Sequence, residues 1–429
     1  MKASLPIGAN YWRAAIALTL ALTLGSSVRA QPSLEREAIA LRPLGPKGLQ
    51  QFLNAHSKEL AATLPPKPLR DALDRLCQQR DCYASRLYWF TDLDRAKAAA
   101  AISGKPILSL RLLGNLDRDL SCANSRFFRV ALYPNAEISK VLRDRFILHW
   151  QSVRPVPKVT IDFGDGRKLE RTLTGNSIHY ILDASGRPVD AIPGLYGPQA
   201  FLRQLQQSEG VAKTIATQTD RDRNITLKNY YGDRLNAIQS QWSTDLAQLG
   251  LKVPARLALE MPSSDSGILP RADRAGTFAA AKMAVENPIV SSALNQRTLA
   301  QMTDRVTWEK LAQRYASDAK LDARSLDLIR AKQAAGAIAA PQTAAQSRSV
   351  PSIARSFESA MALDTVRNEY LLHAQLYRWF LQDPKTQNAD ALNDRVYAEL
   401  FLTPKTDPWL GLLPGDSYSA LDNDGISTR

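Results

Sequence analysis

The sequence lacks any apolar run long enough to span a bilayer. The longest run, Ala14 to Leu24, covers eleven residues, whereas a transmembrane helix needs roughly 20. Basic residues precede this run, and Val28-Arg29-Ala30 follows it with the small residues of a cleavage site. We therefore expect residues 1–30 to be a cleavable export signal and the mature protein to act in the bacterial periplasm or beyond the cell. No transmembrane segment is predicted.

Cysteine is scarce, with 3 among 429 residues. Cysteines pair in the oxidising environment of exported proteins, so an odd number leaves one without a partner in its own chain. Cys77 and Cys82 are too poorly aligned to pair on one continuous helix, because residues five apart do not face each other. We predict that the helix ends near Gln79, which allows a Cys77–Cys82 disulfide and leaves Cys122 free. Pairing of Cys122 with either of the others stays open.

The chain also lacks a stripe of basic residues interleaved with aromatics, which argues against nucleic-acid binding. Its net charge is +13, of which Lys2, Arg13 and Arg29 of the signal contribute three, so the mature chain carries +10. This excess favours anionic neighbours such as an envelope surface, and a solvated basic surface is the simpler interpretation. No Cys-x-x-His or calcium-loop spacing occurs, so we predict no metal site.

The chain contains predicted helices and strands in its first half and only predicted helices in its second half. Its length implies two or three domains at roughly 100–200 residues each. Helices and apolar strands alternate in the first half, and strand signals end after Gln207, where Ala, Leu, Gln and Arg begin to dominate. The predicted segments are N-terminal helices at 31–83, an α/β domain at 84–208, a helical region at 209–331, an Ala/Pro/Gln/Ser-rich flexible linker at 332–352 and a second helical region at 353–429.

Between Tyr88 and Gln207 the predicted order is helix, strand, cysteine loop, helix, helix, strand, hairpin, helix. The motifs within it are Gly104-Lys105-Pro106, the apolar strand at 146–148, the Asp183 to Gly186 turn, and Gly194 with Tyr196. In their order and spacing these motifs resemble the secreted thioredoxin-like family. The resemblance implies an α/β thioredoxin-like domain, a mixed central sheet flanked by helices, followed here by a mostly α-helical C-terminal region.

The resemblance places Cys122-Ala-Asn-Ser125 on the family's Cys-x-x-Cys motif, with serine replacing the second cysteine. A thiol at a helix N-terminus faces unpaired N–H groups and the positive end of the dipole, which lower its pKa. Arg126 adds a positive charge, and Ser125 can donate a hydrogen bond. The resemblance thus implies a thiol-disulfide oxidoreductase without a cofactor, with Cys122, Ser125 and Arg126 as catalytic residues. Its substrate would be a protein thiol or disulfide, or a small thiol.

Two features depart from the family's pattern. Its cis-proline aligns with Ser177, and a hairpin at 159–174 replaces a helix. Asn176 and Ser177 are still expected to face an incoming substrate chain. These departures support an alternative, a redox-inactive thioredoxin-fold scaffold that binds a partner through its helical C-terminal half and holds Cys122 as a small buried residue.

Further polar residues have simpler interpretations. His149 and His179 lie on predicted strands and could approach Cys122, but strand histidines are more often structural. Glu369 and His373 are four apart on one helix, which predicts a hydrogen-bonded surface pair. Arg111, in the first strand, either points to the Cys122 site or sits at the strand end.

Overall fold

The computed structural model describes residues 33–173, 175–250, 305–339 and 349–410, together with positions 412, 420, 421, 423 and 426. The predicted signal peptide at 1–30 lies outside the described residues, as do positions 340–348 of the predicted linker. Within the described ranges, every helix is too short or too polar to cross a bilayer.

Short helices form the N-terminal part and pack onto the rest of the core. They bury apolar residues such as Phe52 and Leu73 in the same cluster that contains the sheet residues. The elements are α1 (Leu34–Leu41), α2 (Pro46–Ala55), α3 (Lys67–Cys77) and α4 (Cys82–Ser85), with 3₁₀ turns at Arg42–Leu44 and Glu59–Ala61.

The chain turns sharply between α3 and α4. Gln78 and Asp81 have the left-handed backbone conformation, with φ of 59° and 64°, so α3 ends at Cys77. Asp74 stabilises the turn, since its Oδ1 accepts the Cys82 N–H at 2.8 Å. The turn brings the Cα atoms of Cys77 and Cys82 to 6.2 Å, and the structure joins the two in a disulfide.

A four-stranded mixed sheet lies at the centre, in the order β2-β1-β5-β6. β1 and β2 are parallel, while β5 is antiparallel to both β1 and β6. Every residue of β1, β5 and β6 is buried, so other elements cover both faces of the sheet. The strands are β1 (Ile107–Leu113), β2 (Ile147–Arg154), β3 (Lys158–Asp162), β4 (Lys168–Thr172), β5 (Ser177–Leu182) and β6 (Pro188–Pro193).

Helices and a separate hairpin flank this sheet. β3 and β4 pair with each other outside it. Asp92 caps α5 by accepting the Arg95 N–H, and Asn135 caps α7. The helices are α5 (Leu93–Ser103), α6 (Ala123–Phe127), which continues as a π-helical segment at Phe128–Leu132, and α7 (Ala136–Arg145).

The rest of the described chain is helical, as predicted for the C-terminal region. Its helices are α8 (Pro198–Ile215), α9 (Asp220–Gln248), α10 (Arg305–Arg314), α11 (Ala323–Ala339), α12 (Val350–Arg367), α13 (Ala374–Gln382) and α14 (Ala389–Arg395). Two π-helical segments, Asn368–His373 and Val396–Leu400, extend α12 and α14, and 3₁₀ turns lie at Ala316–Ala319 and Pro384–Gln387.

The predicted linker differs from the structure at both of its ends. Residues 332–339 continue α11, and residues 350–352 begin α12. Alanine is the strongest helix former, so an alanine-rich stretch next to a helix extends it. One apolar core joins the sheet to the helices, since it contains Tyr180 of β5 together with Tyr231 and Tyr377 of the helical half.

Candidate functional site

Cys122 is the N-cap residue of α6, directly after the loop that follows β1. Its N–H donates to the Leu113 carbonyl at 3.2 Å, and its own carbonyl accepts the Arg126 N–H at 3.3 Å. The sulfur nevertheless has no contact with solvent, because the residue is 0% exposed. Cys122 therefore lies at a helix start, but a substrate cannot reach it in this conformation.

The thiol is less acidic than a free cysteine. Burial raises the pKa of Cys122, and this effect exceeds the opposing effects of the Ser125 N–H and hydroxyl and of the Arg126 charge. The expectation of a lowered pKa at the helix start is thus not met. A thiol enclosed by protein loses the water that would solvate its thiolate, and the N–H groups and charge at the start of α6 do not offset that loss.

Ser125 and Arg126 are engaged mainly with the loop that precedes α6. The Ser125 hydroxyl lies 2.6 Å from Ser121 Oγ and 2.8 Å from the Cys122 carbonyl oxygen. Arg126 Nη1 donates to the Ser121 carbonyl at 2.7 Å and to the Thr172 hydroxyl of β4. These bonds fix the loop and the hairpin against α6, which is a structural role for both residues.

The predicted substrate-facing segment is also buried. Asn176 and Ser177 are 3% and 0% exposed. Asn124 of α6 donates to Ser177 Oγ at 3.0 Å. Asn176 Nδ2 lies 3.5 Å from the Phe401 carbonyl oxygen, and the Asn176 carbonyl accepts the Tyr397 hydroxyl at 3.2 Å. The chain's own residues therefore occupy the position where a substrate chain was expected.

We call residues 396–410 the C-terminal cover. The side chain of Arg154, at the end of β2, binds main-chain carbonyls of this segment. Its Nη1 donates to the Asp407 carbonyl and its Nη2 to the Thr403 carbonyl, both at 2.9 Å. Phe401 and Leu402 of the cover are buried. Leu402 has φ of 52°, a conformation that a leucine adopts only where its surroundings hold it there. The cover is thus tightly docked on the sheet end.

The other polar residues noted in the sheet are structural. His149 Nδ1 is 2.8 Å from Ser109 Oγ, and His179 Nε2 is 2.8 Å from the Tyr133 hydroxyl. Burial lowers the pKa of each histidine to about 3, so both are neutral. Arg111 lies within β1, donates to Gln151 and pairs with Asp390 of α14 at 3.3 Å, so it is neither at the strand end nor paired with the cysteine.

A second polar region lies between the sheet and the helical half. It surrounds a cavity of 260 Å³, which we call the central pocket. α8, α9, α12 and the 315–318 turn form its walls. The charged side chains that line it are Arg203, Arg234, Asp318 and Glu369, and the tyrosines are Tyr196, Tyr315 and Tyr370.

A buried network connects this pocket to β6. His373 Nδ1 is 3.0 Å from Glu369 Oε2, and His373 Nε2 is 3.7 Å from Asp190 Oδ1. Both His373 and Asp190 are 0% exposed. The hydroxyls of Ser208 and Tyr230 donate to Asp190 Oδ2 at 2.7 and 2.6 Å. Glu369 and His373 are therefore hydrogen-bonded as predicted, but they lie inside the protein and not on its surface.

Electrostatics favours the charged form of each group in this network. Burial opposes ionisation of His373, but the carboxylates of Glu369 and Asp190 exceed that effect and raise its pKa. Burial likewise acts to raise the pKa of Glu369 and Asp190, yet the neighbouring His373 charge and hydrogen-bond donors hold both below their usual values. An imidazolium held between two carboxylates thus lies beneath the pocket.

Sequence reasoning missed Asp190 and Arg234. Asp190 had a recognisable signal, because an aspartate within the otherwise apolar strand Pro188–Pro193 needs a buried partner. Glu369 and His373 had a further structural feature that their spacing does not reveal: they lie in a π-helical segment, and such segments are frequent at functional sites. No signal in the sequence identifies Arg234.

Comparisons with known proteins add no assignment. The described residues contain no group of three or more His, Cys, Asp or Glu side chains arranged to hold a metal ion. The chain matches no protein-family model, no curated protein and no solved structure.

Proposed function

We propose that this chain is an exported thioredoxin-like protein without a catalytic thiol, which acts by binding a partner through its helical half. The complete burial of Cys122 carries this proposal. A nucleophilic cysteine must be both ionised and reachable, and here burial opposes both requirements.

The arrangement of the sheet supports the thioredoxin-like part of the proposal. β1, α7 and β2 form a parallel βαβ unit, and β5 and β6 form an antiparallel hairpin in the same mixed sheet. Cys122 follows β1 and begins α6, and Ser177 begins β5. These are the positions that the resemblance gives to the first cysteine and to the family's proline. The structure contains no cis peptide bond in the described residues.

Export is part of the same proposal. The apolar run before residue 30 and its small-residue cleavage site support it. The Cys77–Cys82 disulfide supports it as well, because structural disulfides persist mainly outside the reducing cytoplasm.

The test measures thiol reactivity and turnover in the full chain. We expect N-ethylmaleimide to label native Cys122 roughly a hundredfold more slowly than the urea-unfolded protein, since labelling requires local opening. We also expect the protein and its Cys122→Ala variant to reduce insulin with dithiothreitol at equal rates. Rapid native labelling, or turnover that Cys122→Ala abolishes, would contradict the proposal.

The second candidate function is a thiol-disulfide oxidoreductase that works after the cover opens. The position of Cys122 at a helix start, with the Ser125 N–H, the Ser125 hydroxyl and Arg126 all acting to lower the thiol pKa, favours it. A labelling rate that stays level from about pH 9 down to about pH 7 in a cover-destabilised variant would support this function, because only a thiol with a lowered pKa remains ionised over that range.

A further inference from the structure

We propose that the central pocket binds a small zwitterion, specifically a free α-amino acid. The inference goes beyond the function proposed above and does not depend on the state of the thiol. A reactive Cys122 would overturn the proposed function and leave this inference unchanged.

The charges that line the pocket are balanced and paired. Arg234 Nη2 lies 3.3 Å from Glu369 Oε1 on one side. Arg203 makes a two-pronged bond to Asp318, at 2.9 and 2.5 Å, on the other. A ligand with a single charge would be repelled by the like-charged member of whichever arginine–carboxylate pair it approached. A ligand that carries both an ammonium and a carboxylate can bind the carboxylate of one pair and the guanidinium of the other.

The neutral hydrogen-bonding groups of the pocket are already committed. The Tyr196 hydroxyl donates to Glu369, and those of Tyr315 and Tyr370 donate to Asp245. The Gln204 amide is used at both ends, since it donates to Glu369 and accepts from Arg234. A sugar, which needs many neutral donors and acceptors, would therefore find few free partners among these groups.

Arg234 retains donors for a ligand. Its Nη2 and Nε donate to Gln204, Glu369 and Tyr377. Among the described residues, none accepts a hydrogen bond from its Nη1, which leaves that group for a ligand carboxylate. Glu369 is ionised, since the charges of His373 and Arg234 hold its pKa below its usual value against the effect of burial.

The size of the pocket limits the ligand. Its 260 Å³ lies just below the range of about 300–1,000 Å³ that is usual for small-molecule sites. The tyrosine rings and the side chains of Ile238 and Val366 provide apolar wall for a side chain. The pocket thus suits a ligand of single amino-acid size.

The binding experiment uses isothermal titration calorimetry on the full chain. The probes are L-alanine, L-glutamine and L-phenylalanine, each also as its N-acetyl derivative and its methyl ester, with L-alanyl-L-alanine and glucose alongside. We expect at least one free amino acid to bind and both of its blocked forms to bind roughly tenfold or more weakly, because each loses one charge-assisted hydrogen bond. The proposal is overturned if none of the free amino acids binds, if a blocked form binds equally, or if only the dipeptide or glucose binds.

Two variants locate the site. Arg203→Gln, at the half-exposed mouth, should weaken binding of that amino acid about tenfold while the thermal melt stays cooperative. Glu369→Gln should weaken it at least as much, and circular dichroism establishes that this variant folds. The matched control is Arg167→Gln. Arg167 is an exposed arginine on the β3–β4 turn that also binds an aspartate, and this variant should bind the amino acid as tightly as the unaltered protein does. Unchanged binding in Arg203→Gln would overturn the assignment to this pocket.

Discussion

Arg154 and Thr403 are joined by a hydrogen bond of 2.9 Å across 249 positions of sequence. The bond runs from a guanidinium to a main-chain carbonyl, and the same arginine binds the Asp407 carbonyl. A single side chain at the end of β2 therefore holds the segment that binds Asn176 through Phe401 and Tyr397, and Tyr397 also lies near enough to Cys122 to interact with it electrostatically.

We expect Arg154→Gln to loosen the C-terminal cover. Loss of two charge-assisted bonds should lower the free energy of unfolding by about 2 kcal/mol and raise the rate at which maleimide labels native Cys122. The control is Arg171→Gln, an exposed residue of β4 whose guanidinium binds the neighbouring Glu170 carbonyl. Equal labelling rates in Arg154→Gln and the unaltered protein would show that the cover does not limit access to the thiol.

The disulfide between Cys77 and Cys82 should stabilise the N-terminal helices. Both cysteines are buried, and the bridge restricts the unfolded chain even over a short loop. The double variant Cys77→Ser/Cys82→Ser should lose about 2 kcal/mol of unfolding free energy in urea titrations. Cys122→Ala, which leaves the bridge intact, serves as the comparison, and peptide mapping without reductant should recover the 77–82 linkage. A linkage that includes Cys122 would contradict the structure.

Acid should destabilise the protein through His149 and His179, whose pKa values are lowered. Burial lowers the pKa of His179 to about 3, whereas a histidine in the unfolded chain has a pKa near 6.5. Between these values the unfolded state binds a proton that the folded state does not, so stability is complete above pH 6.5 and falls as the pH drops towards 3.

The histidine contribution can be measured by substitution. Between pH 6.5 and 5.5 the unaltered protein should lose about 1 kcal/mol of unfolding free energy through His179, and His179→Gln should not show this loss. Urea titrations at the two pH values provide the comparison, and His149, with the same lowered pKa of about 3, allows a parallel substitution. A pH dependence that neither variant alters would mean that both side chains are protonated in the folded protein.

Gly197 should be essential for docking the helical half on the sheet. A Cβ atom at this residue would lie 2.6 Å from the Asp318 carbonyl oxygen and 2.8 Å from the Ala319 Cα, both main-chain atoms that cannot move independently. Gly197→Ala should therefore destabilise the protein by about 2 kcal/mol. Gly210→Ala is the matched control within α8, since nothing lies within 4 Å of its added methyl group and alanine favours a helix. A neutral Gly197→Ala would imply that the 316–319 turn is displaced readily.

Local sequence patterns predicted much of the α/β region. The predicted first strand, which contains Arg111, is β1 (Ile107–Leu113), and the apolar strand predicted at 146–148 is the start of β2 (Ile147–Arg154). Pro198 begins α8, as its fixed φ favours. The end of α3 followed from the cysteine spacing. In each case the signal and the structure lie within a few residues of each other, because capping, proline geometry and apolar periodicity act locally.

The burial of the candidate sites could not be predicted in this way. Cys122 begins a helix, which is a local property, but the folded chain buries it completely, and no local pattern reports that burial. Asp190 and His373 likewise meet from β6 and a π-helical segment far along the chain. Long-range packing decides whether a thiol is exposed and whether an acidic residue has a partner, so sequence spacing alone could show neither the burial of Cys122 nor the contact between His373 and Asp190.

The position of the C-terminal cover has a consequence for how the protein matures. In the export proposed above, the chain leaves the cytoplasm with its N-terminal residues first, so Cys122 would reach an oxidising solution long before the last part of the chain arrives. During that interval its sulfur is open to exchange with any disulfide. The disulfide joins cysteines only five positions apart, so it needs no more than the local turn between them and can form early. Once it has formed, Cys77 and Cys82 can no longer pair wrongly with Cys122.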